Sequence, residues 1–493
     1  MTQPIQPVRA VSPIVPAPAP APLYKALLAA GLVAPLAAYG ATITVTTTAA
    51  ENPASCTLRD AARTINSGAQ VGACAPSGSL GGANTVAFAP AVTGTITYGD
   101  QMDGFGAGVW FRPGSNLTIV GPGAANLAIA CTGTGFAGLQ FAGLHVDASN
   151  SVVDIGISGL TVQDCYANPG ANTELAGGIT AITRADSNTA ATVTLSNLVV
   201  KNNSSYTGGI FAKGSTIDVN RITAAGNTGR IGGLSTNGQT VTLRNSTLSG
   251  NTGNSFASAA FLHAAGRATV QNTTASGNNA LGYVSNVYAA VQIEAGEVLV
   301  DHATVVRNTG RPNSVGLAIY FGYEERAAQL MAASAAPVRN SIVCDNTGGA
   351  GDFASNANLV GDYNLLGVIS TTAGGYLGGT GNVSDCTGAQ LANWLGPLAN
   401  NGGPTQTHAL LDAGNPAING GDPEYAGATT DQRTGTFQRV VAGRTDMGAF
   451  EFGAAEAPIS PTPVPALGPV ALGALSAALA ALGMRRRRRA GDK

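Results

Sequence analysis

The polar residues that could carry out chemistry are few in this chain. Glycoside hydrolysis needs two carboxylates flanking the sugar bond, and a lyase of the pectate type needs acidic Ca²⁺ ligands and a basic residue. Between residues 190 and 310 the carboxylates are Asp218, Glu294, Glu297 and Asp301. The last three form one local polar group with His302, and these four are our glycan-site candidates. The alternative interpretation is a solvated turn beside an outward strand face.

The remaining residues of this kind predict no catalytic site. The four histidines, His145, His263, His302 and His408, lack the spacing of metal ligands. There is no GxSxG, phosphate-loop or dinucleotide-binding motif. A net charge of −2 gives no electrostatic reason for nucleic-acid binding. We therefore predict no catalytic residue, metal, cofactor or nucleic-acid partner.

Six cysteines could crosslink the chain. No CxxC motif is present, so a zinc ribbon is not expected. An even number of cysteines in an exported chain indicates disulfides, although buried free thiols are the alternative. Nearest-neighbour pairing is the simplest prediction: Cys56 with Cys74, Cys131 with Cys165, and Cys344 with Cys386.

The composition limits the kind of core that could position these residues. The 493 residues include 67 glycines, and only 11% are charged and 5% aromatic. Small residues can build a narrow core if the backbone stacks regularly. Val, Ile and Leu recur through the middle of the chain, which argues against disorder.

The middle of the chain repeats one short pattern. Each copy has alternating apolar positions typical of strands, and ends in Asn and Gly turns that favour left-handed backbone. Stacked copies would pair in parallel with the copies above and below. The terminal asparagines are Asn203, Asn227, Asn251, Asn278, Asn308 and Asn346.

These repeats predict an all-β fold, a right-handed parallel β-helix with capping segments at both ends. Residues 116–350 would form the repeats, with about seven coils between residues 150 and 350. Stacked asparagines at one turn can form an amide ladder. We assign these asparagines a structural role rather than a ligand-binding one.

The first 40 residues predict a signal peptide whose n-region, the part before the apolar run, is unusually long. Lys25 precedes an apolar run, residues 26–38, which ends before Tyr39 and Gly40. Small residues here suit a signal peptidase. We therefore expect the export machinery to be a partner.

Residues 456–493 have three parts: a Pro-rich linker, an apolar stretch and an arginine run. Nineteen apolar residues can just span a bilayer, and the arginines would stay on the cytoplasmic side. This order, with Pro465 in the segment 464–467, resembles the PEP-CTERM and IPTL-CTERM sorting tails. The resemblance implies an exosortase-type or related processing enzyme and a transient membrane contact. The arginines are Arg485, Arg486, Arg487, Arg488 and Arg489.

Two further segments resemble families of bacterial surface proteins. Residues 41–115 resemble the CSLREA domain through the sequence Ser55 to Arg63. Residues 58–65 themselves predict a short amphipathic helix that would cap the open end of the β-helix. Residues 351–455 resemble the choice-of-anchor Q domain in the stretches 396–408, 430–433 and 446–451. That resemblance implies the end of a β-helical body before a surface anchor. Neither family carries catalytic residues over to this chain.

Two functional hypotheses follow. The first is a non-catalytic protein at the cell surface, outer membrane or extracellular matrix of a Gram-negative bacterium, with an adhesion, matrix or glycan-binding role. Extracellular polysaccharide would be its partner. The second is a polysaccharide lyase or glycoside hydrolase on the same β-helix.

Overall fold

The computed structural model describes residues 40–99, 108–132, 143–167, 174–184, 190–282, 288–321, 337–370, 375, 377–384, 386–412 and 414–455. These residues form mostly strands, which confirms the all-β prediction. The signal peptide predicted for residues 1–40 lies outside them except for Gly40. The tail of residues 456–493, with Pro465 and the five arginines, also lies outside them.

Two helices and 31 strands make up the described chain. The helices are α1 (Leu58–Ser67) and α2 (Gly388–Trp394). Within the described ranges neither is long and apolar enough to cross a membrane. The strands are β1 (Thr42–Val45), β2 (Asn84–Phe88), β3 (Gly94–Tyr98), β4 (Val109–Phe111), β5 (Leu117–Val120), β6 (Leu127–Cys131), β7 (Leu144–Ala148), β8 (Ile155–Ser158), β9 (Thr161–Gln163), β10 (Ile179–Thr183), β11 (Thr192–Lys201), β12 (Ile210–Ala225), β13 (Thr228–Gly229), β14 (Leu234–Arg244), β15 (Thr247–Ser249), β16 (Thr252–Gly253), β17 (Ala257–Ser276), β18 (Asn279–Ala280), β19 (Tyr288–Val306), β20 (Thr309–Gly310), β21 (Ser314–Tyr320), β22 (Val338–Arg339), β23 (Ile342–Cys344), β24 (Gly351–Ser355), β25 (Leu359–Asp362), β26 (Leu365–Leu366), β27 (Leu377–Gly378), β28 (Leu395–Ala399), β29 (Thr407–Leu410), β30 (Val440–Val441) and β31 (Arg444–Thr445).

Most strands belong to one 23-stranded sheet whose neighbours pair in parallel. In its middle, Ile217 pairs with Val241, Val241 with Ala268, and Ala268 with Val298. The steps equal the spacings of the repeat asparagines in the same coils, which are 24, 27 and 30 residues. We call each such step of the chain a coil and the whole sheet the stack.

The interior of the stack is lined by alternate strand residues. Ile217, Val219, Val241 and Leu243 point inward and are fully buried, because successive side chains of a strand point to opposite faces. At one corner of each coil a residue adopts left-handed backbone, a conformation that asparagine tolerates better than most residues. This corner row is Asn197, Arg221, Asn245, Asn272, His302, Asn340 and Tyr363, with φ between 48° and 56°.

Helix α1 packs against β1 and β4 near the start of the stack. The Thr57 side chain accepts a hydrogen bond from the backbone N–H of Asp60 and so caps the helix. Gly68, with φ of 68°, ends it, as left-handed glycine commonly does. The helix therefore continues past the predicted end at residue 65, to Ser67.

All six cysteines are paired, which confirms the disulfide prediction. The bonds join Cys56 to Cys74, Cys131 to Cys165, and Cys344 to Cys386. Each joins nearest neighbours in sequence, 18, 34 and 42 residues apart.

Candidate functional site

The four glycan-site candidates do not form one accessible site. The half-exposed side chains of Glu294 and Glu297 each face a basic side chain of the neighbouring coil. Glu294 lies 3.6 Å from Nδ1 of His263, and Glu297 lies 3.5 Å from Arg267. By contrast, Asp301 and His302 are fully buried.

Asp301 and His302 lie beneath the C-terminal segment, which we define as residues 395–452. His302 Nδ1 is 2.8 Å from Asp301 Oδ1, and its Nε2 is 2.9 Å from Thr445 Oγ1. Tyr425 donates a 2.9 Å hydrogen bond to Asp301 Oδ2. An acid, an imidazole and a hydroxyl in a row resemble an activated nucleophile. All three are fully buried, so this arrangement connects the stack to the segment and offers no surface to a substrate.

Burial also determines the charge of this histidine. Desolvation, reinforced by the nearby Arg439 guanidinium, lowers the pKa of His302 to about 4. The imidazole is therefore neutral at pH 7, so only one of its two ring nitrogens carries a proton. Nε2 either donates a hydrogen bond to Thr445 Oγ1 or accepts one from it.

Gln432 attaches the C-terminal segment to two successive coils. Its Oε1 accepts a 2.6 Å hydrogen bond from Thr274, and its Nε2 donates at 2.9 Å to Thr247. The same Nε2 also donates to Thr405 Oγ1 and to the Gln406 carbonyl. A single buried amide thus joins two strands to the segment that covers them.

A buried arginine, Arg433, organises the segment itself. Arg433 donates to Asp431 at 2.6 Å, and its guanidinium lies between the rings of Phe437 and Phe450, 4.1 and 3.8 Å from their centroids. Flat stacking suits a guanidinium better than an ammonium group. Arg433 also donates to the Glu451 carbonyl oxygen. One side chain therefore joins residues 431 and 451 of the C-terminal segment.

Glu451 is held in a site that disfavours its charge. Its side chain is fully buried and accepts hydrogen bonds from the backbone N–H groups of Val441 and Asp446. Desolvation, together with the neighbouring Asp446 carboxylate, raises the pKa of Glu451 to about 8. Desolvation also raises the pKa of Asp446.

His408 contributes a pH-dependent term to stability. It is buried between the Gly396 carbonyl oxygen, 2.7 Å from Nδ1, and Ser276 Oγ, 2.8 Å from Nε2. Desolvation is the main cause that lowers its pKa to about 4, whereas an unfolded histidine titrates near 6.5. Between these values the unfolded chain binds a proton that the folded chain does not, so we expect this part of the stability to be lost as the pH falls from about 6.5 to 4, by up to about 1.4 kcal/mol per pH unit.

The variant His408→Gln tests this expectation. It should make the free energy of unfolding less dependent on pH over that window, by about one proton. Urea titrations at several pH values measure this slope. His263→Gln, at an exposed position, is the matched control and should keep the wild-type slope; equal slopes in all three proteins would contradict the assignment.

The six repeat asparagines lie in one buried row. From Asn203 to Asn308, each Nδ2 donates to the Oδ1 of the next asparagine, at 2.7–3.0 Å. That oxygen also accepts the backbone N–H of the preceding asparagine, and the second Nδ2 hydrogen goes to a backbone carbonyl. All amide groups of the row are thereby satisfied inside the stack.

The row ends on a carboxylate that the repeat pattern did not reveal. Asp352 accepts from both the backbone N–H and Nδ2 of Asn346, at 2.7 and 2.8 Å, and from the backbone N–H of Val368. Burial raises its pKa, although these hydrogen bonds act in the opposite direction. Asp352 lies six residues after Asn346, outside the repeat spacing, so spacing alone could not find it.

An aromatic groove lies on another outward face of the stack. Its rings form two pairs, each five residues apart: Tyr206 with Phe211, and Phe256 with Phe261. Phe211 pairs in register with Ser235, which pairs with Phe261. The small serine therefore leaves a depression between two phenylalanines. We call the surface of these five residues the aromatic groove; its cavity is about 260 Å³.

Arg230 occupies the coil between the two aromatic pairs. Its guanidinium carbon lies 4.9 Å from the centroid of Tyr206 and 5.5 Å from that of Phe256. Since a guanidinium is attracted to an aromatic face, Arg230 holds these two rings on either side of it. Phe256 in turn lies 5.6 Å from Phe261, centroid to centroid.

A row of polar side chains borders the groove. Lys213, Asn237, His263 and Glu294 pair in register on four successive coils. Lys213 Nζ contacts Glu174 at 2.5 Å, and Glu174, Asn237 and His263 line the cavity. Aligning the repeats would have revealed the paired rings, because they recur at equivalent positions of alternate coils.

Comparison with known proteins identifies the C-terminal end. A family model described as the IPTL-CTERM motif matches residues 462–489, in agreement with the predicted sorting tail. No curated protein and no solved structure matches the chain. The motif is a sorting tail processed by a dedicated enzyme, and it therefore indicates an exported protein at the cell surface.

Proposed function

We propose that this protein is displayed at the cell surface as a non-catalytic binding protein with an adhesion, matrix or glycan-binding role. The observation that carries the proposal is the IPTL-CTERM match at residues 462–489. In this proposal a signal peptide within residues 1–40 directs export from a Gram-negative cytoplasm. An exosortase-type or related enzyme then removes the tail after a transient membrane contact.

We further propose that the stack is a right-handed parallel β-helix over residues 116–350. The parallel registers between successive coils and the repeat steps support this architecture. Residues 41–115 would be a CSLREA-like cap, which the packing of α1 on β1 and β4 supports. Residues 351–455 would be a choice-of-anchor Q-like end, supported by the network around Arg433 and Glu451.

A binding role is favoured over a lyase or hydrolase by the state of the candidate acids. Asp301 is buried, while Glu294 and Glu297 each face a basic side chain. A glycosidase would need two carboxylates open to the same sugar bond. A new reducing end or an unsaturated product released from a polysaccharide panel would favour the enzyme instead.

The tail can be tested in the native host. We expect a chain lacking residues 462–489 to be lost from the surface fraction and to accumulate in the medium or the periplasm. We also expect the intact mass of the wild-type surface protein to lack the five arginines. The matched control replaces all five arginines with lysine, which keeps the charge. It should preserve processing if the positive charge of the tail is what is recognised. An intact arginine tail on mature surface protein would overturn the sorting proposal.

A further inference from the structure

We propose that the aromatic groove binds an uncharged glycan chain, with sugar rings packed on the faces of its aromatic side chains. This inference rests on the proposed binding function and names the ligand class and the site. It does not involve the four acidic and histidine candidates suggested by the sequence.

The groove spans three successive coils. Phe211 and Phe261 lie on coils that are two strand spacings apart, roughly 9–10 Å along the stack, and Ser235 lies between them on the middle coil. Phe211 and Ser235 are only 6% and 4% exposed, so the accessible part of the groove is bounded by the half-buried rings of Tyr206, Phe256 and Phe261. Rings on different coils can contact successive sugars of a chain that crosses the coils.

Three of the rings are accessible to a ligand. Tyr206, Phe256 and Phe261 are half-buried, whereas Phe111 and Phe353 are fully buried in the interior of the stack. Rings held at a surface expose an apolar face, while their neighbours supply polar groups. A sugar ring has the complementary chemistry, since its C–H face is apolar and its edge carries hydroxyl groups.

Polar side chains border the rings. Asn237 and His263 are exposed beside the rings, and Ser235 forms part of the cavity wall. An amide, an imidazole and a hydroxyl can each donate or accept a hydrogen bond. This mixture suits hydroxyl groups, which also do both.

The fixed charges around the groove balance. Lys213 pairs with Glu174 at 2.5 Å, and His263 lies 3.6 Å from Glu294. Arg230 lies over the rings of Tyr206 and Phe256. The formal charges of Lys213 and Arg230 therefore offset those of Glu174 and Glu294. The groove has no net charge to attract an acidic polysaccharide or a basic peptide, and a neutral glycan does not need such attraction.

The experiment uses the purified full-length chain and a panel of soluble probes. The neutral probes are cello-, manno- and xylo-oligosaccharides, and the charged probes are polygalacturonate and a chitosan oligomer. Calorimetry should detect binding of at least one neutral probe, with an affinity that changes little between about 0.05 and 0.5 M salt. Phe261→Ala and the groove-filling variant Ser235→Phe should each weaken that binding by about tenfold or more.

The matched control is Tyr166→Ala, which removes an exposed ring, 43% accessible, outside the groove. It should leave the affinity unchanged. Unfolding curves like that of the wild type will show that Phe261→Ala and Ser235→Phe are folded, so that weaker binding reflects the groove itself. If one variant does not fold, the affinity of the other variant tests the inference.

Three results of the calorimetry with soluble probes would each overturn the inference: no neutral probe binds, binding is equal in wild type and both groove variants, or only charged probes bind with strong salt dependence. Binding of a protein partner through the groove, without any glycan, would also overturn it. Surface display is measured separately in the tail experiment. A protein that is displayed but binds no glycan refutes this inference alone, whereas a protein that is not displayed refutes the proposed function.

Discussion

Replacing Arg439 with methionine should lower the free energy of unfolding by about 3–5 kcal/mol. The guanidinium is fully buried and donates to the carbonyl oxygens of Gly448 and Ala449 and to Asn272 Oδ1. Methionine fills part of the volume but donates nothing, so the Gly448 carbonyl oxygen and Asn272 Oδ1 lose their donor, while the Ala449 carbonyl oxygen keeps the backbone N–H of Gln432. Each such loss costs about 1–3 kcal/mol, and the missing cation also leaves Glu451, 3.7 Å away, without its nearest positive charge.

Urea unfolding followed by tryptophan fluorescence measures this effect. Trp394, in α2, reports on the region next to the C-terminal segment, while Trp110, in β4, reports on the start of the stack. Arg267→Met is the matched control, because Arg267 is about half exposed and its partner Glu297 is 3.5 Å away; it should cost at most about 0.5 kcal/mol. A similar, small loss for both variants would mean that the C-terminal segment contributes little to stability.

Arg439 illustrates what the sequence could not show. Its partner Asn272 lies 167 residues earlier, and Gln432 reaches Thr247 across 185 residues. No periodic pattern connects such positions, because each contact depends on where an irregular segment crosses the stack. For the same reason the sequence placed Asp301 and His302 either in a glycan site or in a solvated turn beside an outward strand face, although Tyr425 and Thr445 cover them.

The asparagine row and the disulfides could be predicted from the sequence more easily. The asparagines follow the repeat spacing, and each cysteine pairs with its nearest neighbour in sequence. A residue that returns once per coil lies above its predecessor when the strands pair in parallel, so Asn227 and Asn251 meet because their coils have equal registers. Cys131 and Cys165 pair for a related reason, because β6, which ends at Cys131, pairs in parallel with β9, which ends two residues before Cys165. The groove could be predicted only in part. Its rings repeat on alternate coils, which the sequence shows, but the space between them depends on the small Ser235 on the middle coil.

Asn251→Ala should lower the free energy of unfolding by about 3–4 kcal/mol. The side chain of Asn251 accepts from both the N–H and Nδ2 of Asn227 and donates to the Ala224 carbonyl and to Asn278 Oδ1. Alanine removes all four bonds within a buried row that water does not reach. Asn254→Ala, at an exposed position three residues further along the same coil, is the matched control and should change stability by no more than about 0.5 kcal/mol.

Asn251→Asp tests the direction of the hydrogen bonds as well as their number. The carboxylate still accepts from Asn227, but it would face Ala224 O and Asn278 Oδ1 with no hydrogen to donate, so at pH 7 it should be at least as harmful as alanine. Asp352 escapes this cost because it ends the row and only accepts. Protonation supplies one donor, so the aspartate variant should regain stability relative to the alanine variant as the pH falls. Equal behaviour of the two variants at all pH values would show that the row is held by packing and not by directed amide hydrogen bonds.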